Sequence, residues 1–482
     1  MVSFDNNDLM VALPELKLVV MALALLLLGV FTKKEYYRLI SGLSVFALLF
    51  VAGLIIFYNT TGTAFNGMFI ADGFSSYMKL VVVLGSAVSL LMATQYVERE
   101  KINRIEYPIL VLFATLGMML MISANNLISL YMGLELQSLP LYVLAAIQRD
   151  SVRSTEAGLK YFVLGALSSG LLLYGSSLIY GFSGATGFPQ IAEALHGHGT
   201  VSLGVVTGLV MILAALSFKI SAVPFHMWAP DVYEGAPTPV TAFFAIAPKV
   251  AAMALVTRVL MGPFGDMVEQ WRQVIVVISI ASMALGGVAA IVQTNIKRLL
   301  AYSSIGHMGY ALVGVAAAST AGVQAVVIYM TIYAIMSAGI FCVVLMMKQR
   351  GKMVEKISDL SGLAKEQPLL ALAMSILMFS MAGIPPLAGF FGKLFIFQSA
   401  VASGLYTLAI VGVLTSVVAA YYYIRIIKVM YFEESAGAGF APAHDRGLNL
   451  ILCAVSAFVV FFIILPAPVL NSAEAAAQAL IK

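Results

Sequence analysis

Long apolar runs alternate with short polar segments along the whole 482-residue chain. A helix needs about 20 apolar residues to cross a bilayer, so the pattern predicts about fourteen membrane-spanning helices. The predicted spans are 9–31, 38–58, 73–96, 107–123, 126–148, 155–182, 201–228, 239–261, 272–293, 297–318, 321–347, 367–402, 404–432 and 447–466. Only short segments separate these runs, so we predict an all-α, polytopic membrane protein whose residues 1–482 form one integral membrane domain.

Composition supports the same class of protein. Hydrophobic residues make up 61% of the chain and charged residues 10%, whereas soluble proteins carry about 25% charged residues. A soluble core has no room for so much apolar surface, so the solvent is lipid. The net charge of +4 is small and scattered, which favours the bilayer and excludes nucleic acid as a partner. The two cysteines lie in apolar runs, and no nucleotide, haem or cluster motif is present, so we expect no cofactor or metal in this chain.

The polar segments differ in charge from one to the next. Segments such as NTTGTAFNGMFIADG and SGATGFPQIAEALHGHGT carry almost no Lys or Arg, and the alternate segments carry many. The basic residues of these alternate segments are Lys33, Lys34, Arg38, Arg99, Lys101, Arg104, Arg149, Arg153, Lys297, Arg298, Lys348, Arg350, Lys352, Lys356, Lys365, Arg425, Lys428 and Arg446. The positive-inside rule then predicts that the basic loops face the cytoplasm or matrix and that both termini face outward.

Several charged residues lie within or near the apolar runs, where insertion costs roughly 2.5–3.5 kcal/mol and ionisable groups mark candidate functional sites. Glu135 and Lys249 lie near the middle of spans five and eight, so each must face a protein interior or a hydrated cavity. A fixed buried ion pair is the alternative. Lys79 and Arg258 lie near outer span ends, where we expect their long side chains to reach water. Lys160 has an intermediate depth and would either reach water or meet a carboxylate.

The seventh predicted span contains a helix breaker beside a cation, in the sequence FKISAVPFHMW. Pro224 has no N–H, so the carbonyl of Ile220 loses its helical partner next to Lys219. A broken helix with an ionisable group at the break is typical of transport sites near the membrane midplane. His226 follows Lys219 by seven residues, which on a continuous helix would place it on the same face, about 10 Å nearer the inner side. That spacing favours a proton path from the inner loop, with a core histidine as the alternative.

The twelfth predicted span has a similar break, in FSMAGIPPLAGFFGKLFIFQSA. Pro385 and Pro386 free the carbonyls of Met381 and Ala382, and Lys393 follows two turns later. The stretches SAVP and AGIP both place small residues ahead of proline. The twelfth span therefore repeats the combination of break and lysine found in the seventh.

The two broken spans predict a pair of inverted five-helix repeats, because they lie five spans apart and cross in opposite directions. The repeats would comprise residues 107–261, with spans four to eight, and residues 272–432, with spans nine to thirteen. His307 lies near the middle of span ten, between the lysines of the two repeats. A neutral histidine relays a proton because its two nitrogens exchange roles; a hydrogen-bonded core histidine is the alternative.

Four segments carry a specific family resemblance. GLELQSLPLYVL, FKISAVPFHMWAPDVYEGAPTPVTAFFAIAPKVA, QTNIKRLLAYSSIGHMGY and AGIPPLAGFFGKLFIF resemble the antiporter-like membrane subunits of respiratory complex I. The similarity extends over nearly the whole chain. It is closest to the N-type members, because of the segment DVYEGAP, because Lys393 stands where M-type members have a glutamate, and because the chain ends soon after span fourteen.

The resemblance implies roles for the charged residues within the membrane. Glu135 would pair with Lys219, Lys249 would be the central proton carrier, and Lys393 would be the exit-side lysine. Lys160 matches a secondary candidate of the family. The implied activity is one proton channel. We expect protons to enter it near His226 and His307 to connect Lys249 to Lys393.

The resemblance also implies partners and a location. Flavin, iron–sulfur clusters and quinone would belong to partner subunits, since each charge moved against the membrane potential needs about 2.3 kcal/mol per 100 mV from elsewhere. Partners would be other membrane-arm subunits of complex I, including antiporter-like paralogues, in a bacterial inner membrane. Two alternatives remain open from the residues alone, namely a subunit of a multisubunit cation/proton antiporter and a structural membrane scaffold with fixed ion pairs.

Overall fold

The computed structural model describes residues 6–31, 36–58, 60–196, 202–349, 352–353, 355–434, 440 and 445–481. The loop cations Lys33, Lys34 and Arg350 and both terminal residues, which entered the topology prediction, lie outside the described residues. The helices within the described part are α1 (Asn6–Val11), α2 (Leu13–Phe31), α3 (Tyr37–Phe57), α4 (Gly73–Arg99), α5 (Glu106–Ile122), α6 (Leu127–Ala145), α7 (Val152–Ser183), α8 (Phe188–Leu195), α9 (Leu203–Ile220), α10 (Trp228–Gly235), α11 (Thr238–Met261), α12 (Val268–Ile291), α13 (Ile296–Ala316), α14 (Thr320–Met346), α15 (Leu363–Glu366), α16 (Pro368–Ala382), α17 (Ala388–Ala402), α18 (Tyr406–Phe432), α19 (Arg446–Phe461) and α20 (Ala467–Leu480). Two short antiparallel hairpins pair β1 (Gly62–Ala64) with β2 (Phe69–Ala71) and β3 (Lys348–Gln349) with β4 (Lys352–Met353).

The helices confirm the predicted all-α membrane class. Among the described residues, eleven helices are long and apolar enough to cross a membrane, and α5, α16, α17 and α19 are shorter apolar helices. Each predicted span corresponds to one of these helices, except the broken twelfth span, which contains two, α16 and α17. The count of about fourteen spans and the two inverted repeats stay predictions.

Both helix breaks occur at the predicted prolines. The seventh span ends as α9 at Ile220, and the twelfth divides into α16 and α17 between Ala382 and Ala388. The residues after the two helix ends, Ser221 and Gly383, have φ angles of 58° and 88°. This left-handed conformation turns the chain out of the helix. The prediction that His226 lies two turns from Lys219 on one helical face is wrong, because residues 221–227 form a turn.

The centre of the bundle consists of α11, α13 and α14. Nearly all residues of these helices are buried, whereas only about a third of the residues of α7 and α18 are. Apolar outer faces are expected of helices that meet lipid or a neighbouring membrane subunit. Polar side chains on these three central helices are therefore shielded from lipid by other helices of the same chain, without help from a neighbouring subunit.

Small residues allow neighbouring helices to approach closely. A Cβ added at Gly133 of α6 would lie 2.7 Å from the backbone nitrogen of Met121 in α5, and one at Gly286 of α12 would lie 2.5 Å from that of Gly306 in α13. Such distances leave no space for a side chain. Close backbone contact of this kind stabilises helix pairs in lipid, where the hydrophobic effect does not drive association.

The expectation that Lys79 and Arg258 reach water is wrong, because both side chains are buried in ion pairs. The ammonium of Lys79 lies 2.6 Å from the carboxylate of Glu15, which is itself buried, and 4.7 Å from the centre of the Phe69 ring. Arg258 donates to Asp72 at 2.8 Å. Each acid comes from a part of the chain far from its cation in sequence, so depth within one span does not determine how these charges are satisfied.

The buried pair between Glu15 and Lys79 generates a stability prediction. Removing one partner of a buried ion pair leaves an uncompensated charge and costs about 3–5 kcal/mol. We therefore expect Glu15→Gln to reduce the amount of assembled membrane complex strongly, as measured by native gel electrophoresis of solubilised membranes. The double variant Glu15→Leu with Lys79→Met removes both charges and should restore most of the assembly. Wild-type assembly of the single variant would contradict the prediction.

Candidate functional site

The end of α9 is held by hydrogen bonds from two other helices. The indole nitrogen of Trp228 in α10 donates to the carbonyl of Phe218 at 2.9 Å. Lys249 of α11 donates from its ammonium to the carbonyl of Ile220 at 3.0 Å and also to the hydroxyl of Ser221. The carbonyl that the break leaves without a helical partner is thus bound by a buried cation from the next predicted span.

The second break has the same arrangement. Lys393 of α17 donates to the carbonyl of Ala382, the last residue of α16, at 3.0 Å. It also donates to the hydroxyl of Ser416 in α18 at 2.7 Å, and its ammonium lies 4.9 Å from the centre of the Tyr310 ring. At both breaks, a buried lysine therefore binds the last helical carbonyl and one serine hydroxyl.

Lys219 has a neutral partner as well. Its ammonium donates to the hydroxyl of Ser138 in α6 at 2.8 Å and lies 5.9 Å from the centre of the Tyr142 ring. The hydroxyl of Ser169 in α7 donates to Glu135, one turn before Ser138 on α6. The implied pair of Glu135 and Lys219 is therefore not a direct contact, and hydroxyl groups bind each member separately.

Glu135 is half-buried, so part of this residue lies at the surface of the chain, one turn from the exposed Met132 and Leu139. The expectation that Glu135 faces a protein interior or a hydrated cavity stays a prediction. A carboxylate at this depth is not stable against lipid. This face of α6 therefore needs protein or water beside it.

His307 of α13 lies in a cluster of hydroxyl groups in the buried centre. Its Nδ1 is 2.6 Å from the hydroxyl of Tyr329, and its Nε2 is 2.9 Å from that of Tyr423. A neutral imidazole has one donor and one acceptor, so one of the two tyrosines donates and the other accepts. The ring of Tyr310, which lies under Lys393, is 6.0 Å from the imidazole. The cluster thus adjoins the second break.

The remaining two predicted channel residues, His226 and Lys160, lie towards the predicted inner side. His226 is half-buried in the turn between α9 and α10. Lys160 is partly exposed and forms ion pairs with Glu156 at 2.8 Å and with Asp231 of α10 at 2.7 Å. Both alternatives left open for Lys160 are observed, because its side chain reaches the surface and also contacts carboxylates.

Sequence reasoning missed the neutral groups that bind the lysines. These are Ser138, Ser221 and Ser416, with Tyr329 and Tyr423 around the histidine. A serine or tyrosine in an apolar run has no charge that marks it. Within the described ranges, no three His, Cys, Asp or Glu side chains are grouped as a metal site.

Comparison with known proteins identifies the family. The family model for the NADH:quinone oxidoreductase/Mrp antiporter transmembrane region matches residues 124–419. The chain belongs to this family. The matched range contains both helix breaks with Lys219, Lys249 and Lys393, and it starts after α5.

Individual members of the family are similar over nearly the whole chain. The NADH-quinone oxidoreductase subunit N of Paramagnetospirillum magneticum is 57% identical over 480 residues, which is 98% of each chain. A chain in the structure of respiratory complex I from Thermus thermophilus is 31% identical with a TM-score of 0.83, covering 96% of this chain and 99% of that one. A chain of the Mrp complex from Dietzia sp. DQ12-45-1b has a TM-score of 0.81 at 24% identity, covering 99% of each, which shows a shared fold alone. The resemblance drawn from the sequence is confirmed.

The hydroxyl group at the second break generates a prediction. Ser416→Ala removes one of the two acceptors of Lys393, and a hydrogen bond to a charged group contributes about 1.5–3 kcal/mol, so we expect proton pumping to slow about tenfold. The measurement is the initial rate of proton uptake into proteoliposomes that hold the assembled complex. Ser375→Ala is the matched control, because that hydroxyl bonds only within α16, to Ala371. Equal pumping by both variants would show that the Ser416 contact is dispensable.

Proposed function

We propose that this chain is a proton-translocating membrane-arm subunit of an NADH-quinone oxidoreductase and forms one proton channel. The observation that carries the proposal is the repeated contact at the helix breaks, where Lys249 and Lys393 bind freed carbonyls and hydroxyls. Broken helices with an ionisable group are typical of ion pathways near the membrane midplane. The nearly full-length similarity to a relative named NADH-quinone oxidoreductase subunit N supports the same proposal.

The lysines of the two breaks are suited to exchanging protons, because their partners are neutral. When a buried lysine is paired with a carboxylate, losing its proton leaves an unpaired buried anion, which is costly. Lys249 and Lys393 donate to carbonyl and hydroxyl oxygens instead. Deprotonation at these sites therefore breaks hydrogen bonds but leaves no buried carboxylate without a cationic partner.

The proposed path runs from the inner side, where the turn with His226 lies, past Lys219 and Lys249. It continues through the hydroxyl cluster of His307 and leaves beside Lys393. Positive charges on neighbouring lysines repel, so a proton on one disfavours a proton on the next, and the sites titrate as a coupled set. A change in the charge near Lys219 would drive the proton towards Lys249. The nearby groups on α6 are Glu135, which is charged, and Ser138, which accepts a hydrogen bond from Lys219.

The redox chemistry of the complex belongs, on this proposal, to other subunits that hold flavin, iron–sulfur clusters and quinone. This chain would contribute no catalytic redox group and would sit beside other membrane-arm subunits, including antiporter-like paralogues. The half-exposed Glu135 supports a neighbour on the α6 face. We place the complex in a bacterial inner membrane, with both termini of this chain on the outer side.

A cation/proton antiporter subunit is the less supported alternative. The similarity to the Mrp complex chain is 24% identity and concerns the fold, whereas the relative named NADH-quinone oxidoreductase subunit N is 57% identical over nearly all of both chains. A pure scaffold does not explain why two buried lysines bind helix-end carbonyls instead of acids.

The central lysine provides the test of the proposed function. We expect Lys249→Met to leave an assembled complex whose proton pumping per NADH oxidised falls to about a tenth or less, since a barrier increase of only 1.36 kcal/mol slows transfer tenfold. Methionine matches the length of lysine without its charge. The readouts are proton uptake into proteoliposomes and NADH oxidation in the same sample.

Three outcomes separate the candidates. Undiminished pumping by Lys249→Met with normal turnover would refute the proposal. Failed assembly of Lys249→Met, with normal pumping by a separate Lys393→Met variant, would support a scaffold. A dependence of transport on sodium in the wild-type complex would favour the antiporter.

A further inference from the structure

An open, charged cleft lies where α10 meets α7 and α13, on the predicted inner side. Its volume is about 190 Å³. Its charged lining residues are Arg153, Glu156, Lys160, Asp231, Glu234 and Arg298. The cleft therefore joins α10, the short helix that follows the first break, to one helix from each predicted repeat.

Asp231 is the centre of the ion pairs in this cleft. One of its carboxylate oxygens accepts from Lys160 of α7 at 2.7 Å, and the other accepts from Arg298 of α13 at 2.7 Å. Glu156 adds a contact to Lys160 at 2.8 Å, and Glu234 adds one to Arg298 at 3.2 Å. We call the three residues Lys160, Asp231 and Arg298 the α10 clamp, because they tie α10 to helices on both sides.

The end of α10 is held in place as well. Lys297 donates to the carbonyl of Ala236 at 3.1 Å and lies 3.2 Å from Glu355, which is 3.8 Å from Arg153. A Cβ added at Gly235 would lie 2.6 Å from the carbonyl oxygen of Arg153. The end of α10 therefore lies directly against α7, and these groups complete the charged surroundings of the clamp.

Two stacked rings, one from α10 and one from α7, lie beside the central lysine. Trp228, one turn before Asp231 on α10, stacks on Tyr161 with centroids 4.3 Å apart and planes 7° apart. Tyr161 directly follows Lys160 on α7. The ammonium of Lys249 lies 5.3 Å from the centre of the Trp228 ring. The position of α10 thus determines whether the indole covers Lys249.

The spacing of residues after the second break supports a functional role for Asp231. Asp231 lies seven residues after Pro224, and Lys393 lies seven residues after Pro386. Each break is therefore followed by an ionisable residue at the same distance. In the second break that residue is a proposed proton carrier.

We propose that the cleft is a second inner proton entrance, besides the one at the turn with His226, and that Asp231 is a positioning residue whose clamp holds α10 closed over Lys249. Release of the clamp would let α10 move and carry Trp228 away from the lysine, which opens the path from inner water. While the clamp is intact, protons do not flow back between turnovers. This inference rests on the proposed proton-channel function.

The charge of the clamp persists at neutral pH. Partial burial acts to raise the pKa of Asp231, but hydrogen bonds and charges from Lys160 and Arg298 outweigh it and hold the pKa below its ordinary value. A lowered pKa means that the ion pairs contribute fully above the ordinary carboxyl pKa of about 4 and are lost only as the pH falls through the lowered value. Opening at physiological pH therefore requires a movement of α10 and not protonation of Asp231.

The test is the passive proton leak of the assembled complex. Asp231→Asn keeps the shape of the side chain but removes its charge, so we expect a several-fold faster collapse of an imposed pH gradient in proteoliposomes without NADH, and fewer protons pumped per NADH. Asp231→Glu keeps the charge and should leak much less than the asparagine variant. Asp150→Asn is the matched control, because Asp150 is exposed on the inner loop before α7 and makes no ion pair within the described part of the chain.

Several outcomes would overturn the inference. A normal leak and normal pumping in Asp231→Asn would do so, and so would an equal leak in Asp231→Asn and Asp231→Glu. If Asp231→Asn does not assemble, Arg298→Gln weakens the clamp from the α13 side, and an unchanged leak in that variant overturns the inference.

Leak measurements do not depend on the pumping result of Lys249→Met, so normal pumping by that variant would refute the proposed function separately. In the double variant Asp231→Asn with Lys249→Met, the extra leak should disappear; a persisting leak would show a path that bypasses Lys249 and would overturn the inference.

Discussion

A broken helix in lipid must find partners for the backbone groups that the break exposes, and this constraint explains the centre of the structure. An unsatisfied carbonyl in the hydrocarbon region costs several kcal/mol, so the break is stable only where protein or water supplies a donor. Here the donor at both breaks is a lysine, which reaches the carbonyl of Ile220 from α11 and that of Ala382 from α17. The break and the buried cation stabilise each other, because an ammonium in the membrane interior also needs acceptors.

The charged residues fall into two groups according to their partners. Towards the periphery and the membrane surfaces, cations such as Lys79, Arg258 and Lys160 meet carboxylates. At the two helix breaks, Lys249 and Lys393 meet neutral oxygens. A lysine with a carboxylate partner is a fixed structural element, whereas one with neutral partners changes its protonation state at lower cost. The distribution of acids thus separates structural cations from those suited to carry protons.

Sequence reasoning recovered the features that lipid imposes and missed those that depend on tertiary contact. The positions of the helices and both breaks follow from apolar length and from proline, because a bilayer leaves few alternatives for the backbone. The partners Glu15 and Asp72 were missed because they are distant in sequence from Lys79 and Arg258. The position assigned to His226 failed because helical spacing was extended across residues 221–227, where Ser221 has already turned the chain. Neutral partners such as Ser416 had no charge to distinguish them from other small core residues.

The two breaks are similar but not equivalent, and the difference bears on which part of the chain moves. In the second break, Lys393 belongs to α17, so the lysine and the second half of the broken span are one rigid element tied to Ala382. In the first break, Lys249 belongs to α11, and the short helix that follows the break, α10, carries no central lysine of its own. The contacts of α10 with Lys160 and Arg298 are partly exposed ion pairs, which are weaker than buried contacts. A movement of α10 therefore changes the cover over Lys249 without displacing the lysine from the carbonyl of Ile220, whereas a movement of α17 would necessarily break the contact at the second break.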